Sequence, residues 1–261
     1  MNNRITRYLE ANNRKLLIPF FTAGYPSLTA TYEYIMAAES AGADFIEIGL
    51  PFSDPLADGP EIQFASKSAL DKKLTLSQVF NLVEKVRKKS EIPLLFMGYY
   101  NPFIALGEKS FMSKSQKAGV DGLIIPDLPV DESKTIRKIA DLYNISMIYL
   151  VAPTTTDERI KIINNQTSGF VYAVTVTGVT GTGKKFDSST DKYLSGLKKK
   201  LSHKFVAGFG VSTPADAKRL SKYSDGVVIG SKLIKIIRDA KTSKASVIEI
   251  ENFLKKIRKN L

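Results

Sequence analysis

Three observations predict an α/β fold, a single (β/α)8 barrel of the TIM type. Short apolar runs alternate with amphipathic stretches from end to end, about eight such pairs fit into 261 residues, and Gly, Pro and polar residues crowd the segments that follow the runs. Near-continuous apolar runs are the mark of a parallel sheet buried on both faces. About eight strand–helix pairs in roughly 250 residues is the barrel count. A doubly wound open sheet usually has fewer strands and ranks second. No linker, low-complexity block or charge run divides the chain, so residues 1–261 read as one domain. A chain of this length buries roughly 70–75% of its unfolded surface and needs no staples.

The elements follow in order. An N-terminal helix near residues 3–13 reads as a cap over the lower opening of the barrel. LLIPFF (16–21) leads to a helix over 29–41, and DFIEIGL (44–50) to helical pattern within 62–89. IPLLFMG (92–98) leads to a helix near 108–118, and DGLIIP (121–126) to one over 131–143. SMIYLVAP (146–153) leads to 157–165, and GFVYAVTV (169–176) to a helix near 191–201. KFVAGFG (204–210) leads to 214–223, DGVVIGS (225–231) to 232–239, and a last helix covers 245–259. The turn sequences GYP, LPFSDP, YNP, PDLP, APT, TGVTGTG, GFG and GS all fall at strand C-termini. In a barrel those loops share one face, where active sites form.

Composition narrows the function. The chain has no Cys, which removes disulfides and thiol chemistry and fits a cytoplasmic setting. The first residues lack the apolar core of a signal peptide, and no apolar stretch approaches the length of a membrane span. The net charge of +12 comes mostly from Lys, clustered at 85–89, 198–200 and 255–259 on or beside predicted helices. Those clusters are not interleaved with aromatics as a nucleic-acid groove requires. They read as a solvated exterior that also draws in a phosphorylated substrate.

Two kinds of chemistry are missing. His203 is the only histidine and sits in a Lys/Ser-rich turn, so zinc centres and triads lack their clustered imidazoles. No predicted strand ends in Lys, as a Schiff-base enzyme requires. Carboxylates remain. Glu47 lies among Phe45, Ile46 and Ile48, where burial raises its pKa toward the range useful for proton transfer. A carboxylate satisfied by backbone or by a Tyr hydroxyl is the structural alternative. Asp58 lies in the following loop, which can fold it back over the mouth; Asp before Gly is also an ordinary turn sequence. Asp54, Asp127 and Asp131 are further rim acids in ordinary turns.

Glycine-rich turns at 178–183, 208–210 and 230–231 suit phosphate, which barrels often bind after strands 7 and 8 with backbone N–H groups and a helix start. GVTGTGKK (178–185) nearly matches a nucleotide-binding P-loop, but Lys185 replaces the hydroxyl that holds magnesium. The composition of 178–190 better suits a lid.

PFFTAGYP, EIGLPFSDPLADGPEIQ, MGYYNP, PDLPVDES, TGVTGTG, GFGVSTP and GVVIGS, in this order and spacing from residue 18 to 231, resemble the tryptophan synthase alpha chain family. The resemblance implies a barrel that cleaves indole-3-glycerol phosphate into indole and glyceraldehyde 3-phosphate by a retro-aldol reaction. It implies that Glu47 is the general acid/base and Asp58 the carboxylate near the indole nitrogen. Phe20, Tyr99, Tyr172 and Phe209 resemble pocket-lining positions. Gly181, Gly210, Gly230 and Ser231 resemble the phosphate cradle, and Thr180 the lid residue that steadies the carboxylates. No cofactor is implied in this chain; pyridoxal phosphate is expected only in a tryptophan synthase beta chain, the partner in an alpha2-beta2 heterotetramer. Residues 51–60, Asn101 and Pro129 resemble partner-facing positions. Glu61 departs from the neutral residue more usual there, and the end of the lid is Lys-rich.

Overall fold

The computed structural model describes residues 2–175, 187–208 and 210–261. The apolar runs form strands β1 Leu16–Thr22, β2 Ile46–Gly49, β3 Leu94–Met97, β4 Gly122–Ile124, β5 Ser146–Ile148, β6 Leu150–Val151, β7 Val171–Val174, β8 Phe205–Gly208 and β9 Gly226–Ile229. Twelve helices are described: α1 Arg4–Ala11, α2 Leu28–Ser40, α3 Pro60–Asp71, α4 Leu76–Arg87, α5 Tyr100–Leu106, α6 Glu108–Ala118, α7 Lys134–Leu142, α8 Asp157–Gln166, α9 Ser188–Lys200, α10 Pro214–Ser221, α11 Ser231–Asp239 and α12 Ser243–Arg258.

The strand order is β5-β4-β3-β2-β1-β9-β8-β7-β6, and the pairings are parallel. Only Tyr149 separates β5 from β6. The order therefore begins and ends on one stretch of chain, and the sheet closes into a barrel with eight strand positions. The Tyr149 side chain turns outward, where its hydroxyl bonds the Ser133 hydroxyl at 2.6 Å.

Alternation along each strand sorts the side chains into two cores. Leu17, Phe21, Ile46, Ile48, Leu94 and Phe96 pack outward under the helices. Leu16, Ile18, Leu95, Ile124, Ile148, Tyr172, Val206 and Val228 fill the barrel interior. Helix α1 plugs the lower end, as the sequence predicts. Ile5 enters the interior cluster with Tyr8 and Leu9 against it. The Asn3 amide ties the helix start to the Asp121 carbonyl (2.9 Å) and the Ser146 hydroxyl (2.8 Å).

Three aspartates brace the strand starts. Asp44 accepts the Leu17 N–H (2.7 Å), Asp121 that of Leu94 (2.9 Å) and Asp225 that of Phe205 (3.0 Å). Asp44 and Asp121 are buried and also paired, the first with Arg14 and Arg258, the second with Arg4 and Arg87. These carboxylates hold structure, since their charges are fully partnered.

Two departures from the sequence reading have local causes. The pattern over 62–89 is two helices, because Lys73 adopts a left-handed φ of 57° and Thr75 with Gln78 forms a capping box that starts α4. The YNP turn is the first turn of an additional helix, α5, where Pro102 needs no N–H and the Asp127 carboxylate accepts the Tyr100 N–H at 3.0 Å.

Candidate active site

Parallel strands deliver their C-terminal ends, and the loops that follow, to one rim. On that rim β1 and β2 stand in register with Phe20 beside Glu47. Both residues point inward, and Glu47 is fully buried. Among the described residues neither Glu47 carboxyl oxygen has a hydrogen-bond partner. This sets Glu47 apart from Asp44 and Asp121. Burial alone pushes its pKa well above the ordinary carboxylate value, which favours the protonated form.

Asp58 lies on a narrow recess lined also by Phe20, Leu50, Ile62, Met97 and Tyr99, among others. Burial raises the Asp58 pKa, the nearby Tyr99 hydroxyl opposes the rise, and the balance is about 6. Asp58 is therefore largely ionised at neutral pH, while burial favours the protonated form of Glu47. Tyr99 also accepts the Ala57 N–H at 2.9 Å and stacks on Phe52 with ring centroids 5.3 Å apart. Tyr172, buried on β7, feels the charges of both Glu47 and Asp58, which places its phenol near the pair. The other rim acids have structural partners: Ser53 bonds Asp54, Tyr100 donates to Asp127, and Arg159 pairs with Asp131 at 2.8 Å.

Two glycines make room for this arrangement. A Cβ at Gly49 would lie 2.3 Å from Cζ of Phe20, so the ring rests directly on the β2 backbone. A Cβ at Gly208 would lie 2.3 Å from the Tyr172 hydroxyl. Gly230 precedes α11 and adjoins the Phe20 ring, and Ser231 opens that helix. No side chain caps α11, so its first N–H groups present a positive dipole end beside the recess. Gly210 follows β8 by two residues. Thr180, Gly181 and Phe209, expected in the site, lie outside the described residues.

Several lining residues escaped the sequence reading. Ile62 and Ser66 both face the recess. Their i,i+4 spacing on α3 was the available signal. Met97 lies two residues beyond the inward-facing Leu95, so strand alternation could have placed it. His203 is in the turn before β8, and no group of three His, Cys, Asp or Glu suited to a metal ion occurs among the described residues.

The sequence pattern of the tryptophan synthase alpha chain family matches residues 7–261. The chain belongs to that family. A tryptophan synthase alpha chain from Thermoanaerobacter sp. (strain X514) is 42% identical over 262 aligned residues, covering 99% of this chain and 100% of the relative. One from Caldanaerobacter subterraneus subsp. tengcongensis is 43% identical over 99% of this chain and 100% of that relative. Among solved structures, the alpha subunit from Legionella pneumophila str. Paris superposes with a TM-score of 0.92 at 33% identity, covering 100% of this chain and 98% of that one. A chain from a study of the tryptophan synthase a2b2 complex of Pyrococcus furiosus gives 0.87 at 34% identity, covering 95% and 100%. The barrel and the family expected from the sequence are thus both found.

Proposed function

We propose that this chain cleaves indole-3-glycerol phosphate to indole and glyceraldehyde 3-phosphate, a carbon–carbon lyase step of tryptophan biosynthesis, with Glu47 as acid and base and Asp58 as the fixed negative charge. The carrying observation is Glu47: a buried carboxyl with no hydrogen-bond partner among the described residues and a pKa raised well above its ordinary value, in register with Phe20, which lines the recess that also holds the acid Asp58. Structural carboxylates in this barrel are paired, so an unpaired one is best explained by chemistry.

In this reading the protonated Glu47 gives its proton to ring carbon C3, and the indole nitrogen becomes a cationic N–H. The Asp58 carboxylate stabilises that charge through a hydrogen bond in a partly desolvated site. The Glu47 carboxylate then takes the proton of the side-chain hydroxyl next to C3. The carbon–carbon bond breaks, its electrons return to the ring, the aldehyde leaves and Glu47 is protonated again. The ring is the electron sink, so the steps call on no metal or lysine. The start of α11, with Gly230 and Ser231, suits the phosphate dianion by its dipole and exposed N–H groups.

The Pyrococcus chain's a2b2 complex supports a beta chain as partner here too, with pyridoxal phosphate held by that partner. Leu56 is 88% exposed and Ile104 52%. They sit beside the segments the sequence assigns to docking, and an apolar partner surface suits them. No helix among the described residues is long and apolar enough to cross a membrane. A cytoplasmic enzyme accords with this.

The test is indole release by the purified chain from indole-3-glycerol phosphate, with and without a beta chain. Release that disappears in Glu47→Gln supports the reading. Release that persists undiminished in that variant overturns it.

A further inference from the structure

We infer that Tyr99 is a positioning residue for the lyase proposed above: its ring and hydroxyl grip the loop at Phe52 and Ala57 and so set Asp58, the next residue, on the wall of the recess. The inference rests on that functional reading but is carried by different atoms. Residues 50–59 form no helix or strand. The segment keeps itself folded by local turns, Leu56 N–H to Asp54 and Asp58 N–H to Pro55 (3.0 and 3.1 Å). Such turns fix a loop's shape but not its place over a barrel. Tyr99 supplies the tie to the barrel. It lies two residues past β3 as the N-cap residue of α5, buried between strand and loop. Its ring stacks on Phe52, its hydroxyl accepts the Ala57 N–H, and it lines the recess together with Asp58. One side chain thus holds the loop at two points, the Phe52 ring and the Ala57 backbone.

The hydroxyl also bears on the charge of Asp58. A donor favours the ionised carboxylate, so it opposes the rise that burial causes. The other titratable groups on this side are Glu47 from β2, Tyr172 from β7, and Asp127 in the loop after β4, which adds to the negative field at Tyr99. All are acids, and no lysine or arginine contributes to the Asp58 shift. Among these groups the Tyr99 hydroxyl is the one that favours the charged form of Asp58.

The test is Tyr99→Phe in the full chain, which keeps the ring and its stack and deletes one oxygen. Asp58 titration is followed by NMR of carboxyl-labelled aspartate, and kcat, KM and the pH profile of indole release are measured with the beta chain present. The expected results are an Asp58 midpoint above about 6, an acid limb displaced the same way, and kcat lowered about tenfold to a hundredfold with KM little changed, the scale of one hydrogen bond lost beside a charged group. Phe52→Leu, which loosens the stack but spares the hydroxyl, should leave the Asp58 midpoint at its wild-type place. An unmoved midpoint in a folded Tyr99→Phe chain overturns the inference, as does a fall in kcat with no displacement of the acid limb. Wild-type chain that releases no indole overturns the proposed activity instead, and the NMR midpoint still reports on Tyr99.

Discussion

Replacing Glu47 by Gln should destroy activity and at the same time stabilise the protein at neutral pH. The carboxyl is fully buried with no partner among the described residues. In the unfolded chain it titrates near its ordinary 4.5; in the folded chain burial moves that titration well upward. Between those two points the folded state binds the extra proton, so stability falls as pH rises, by at most about 1.4 kcal/mol per pH unit for one site. Below the unfolded value both states are protonated and the penalty vanishes. Gln has nearly the same volume and never ionises, so it escapes the slope. Urea denaturation of both proteins at about pH 5 and about pH 8 reads the effect as a difference of differences. Asp58 is present in both proteins and largely cancels. The wild type should lose ground to the variant across that interval by about 1 kcal/mol or more. Indole release should drop roughly 10²–10⁴-fold in the variant, the usual share of a proton-transfer group. A stability gap that stays flat with pH would show that Glu47 is charged in the folded protein, and the assignment of a protonated acid would fall.

Asp58→Asn should fold normally and bind substrate with negligible turnover, and the wild-type rate should fall as pH drops through about 6, because protonation removes the charge the cationic ring needs; steady-state kinetics against pH reads both. Gly49→Ala would place a methyl 2.3 Å from Phe20 Cζ, so it should raise KM and cost about 1–3 kcal/mol in a urea melt by overpacking. Asn3→Ala removes the N-cap of α1 and its ties to Asp121 and Ser146. It should lower stability by about 1–2 kcal/mol while kcat and KM at the opposite end of the barrel stay unchanged.

The barrel could be read from sequence because its strands advertise themselves. Buried parallel strands such as LLIPFF cannot be mistaken for surface, and each was followed by an amphipathic stretch. Glu47 was legible for the same reason: a charge inside such a run is conspicuous. The break between α3 and α4 was missed because apolar periodicity continues across it, although the Thr75–Gln78 capping box was present in the sequence. The role of the Tyr99 hydroxyl was not legible. Its neighbours, Ala57 and Asp58, lie some forty positions away, and only the folded loop brings them together. Ser66 was hidden likewise, since a serine within a helix carries no sign of which face will meet a recess.

The plug formed by α1 bears on traffic through the enzyme. With Ile5 wedged among the interior side chains and Tyr8 stacked edge-on against Phe45, the described residues make the barrel a well stopped at its lower end. Whatever reaches Glu47 must arrive over the rim, and the apolar product must climb out the same way. A subunit seated on that rim would govern both directions of flow, and a released indole would meet the partner before it met bulk water.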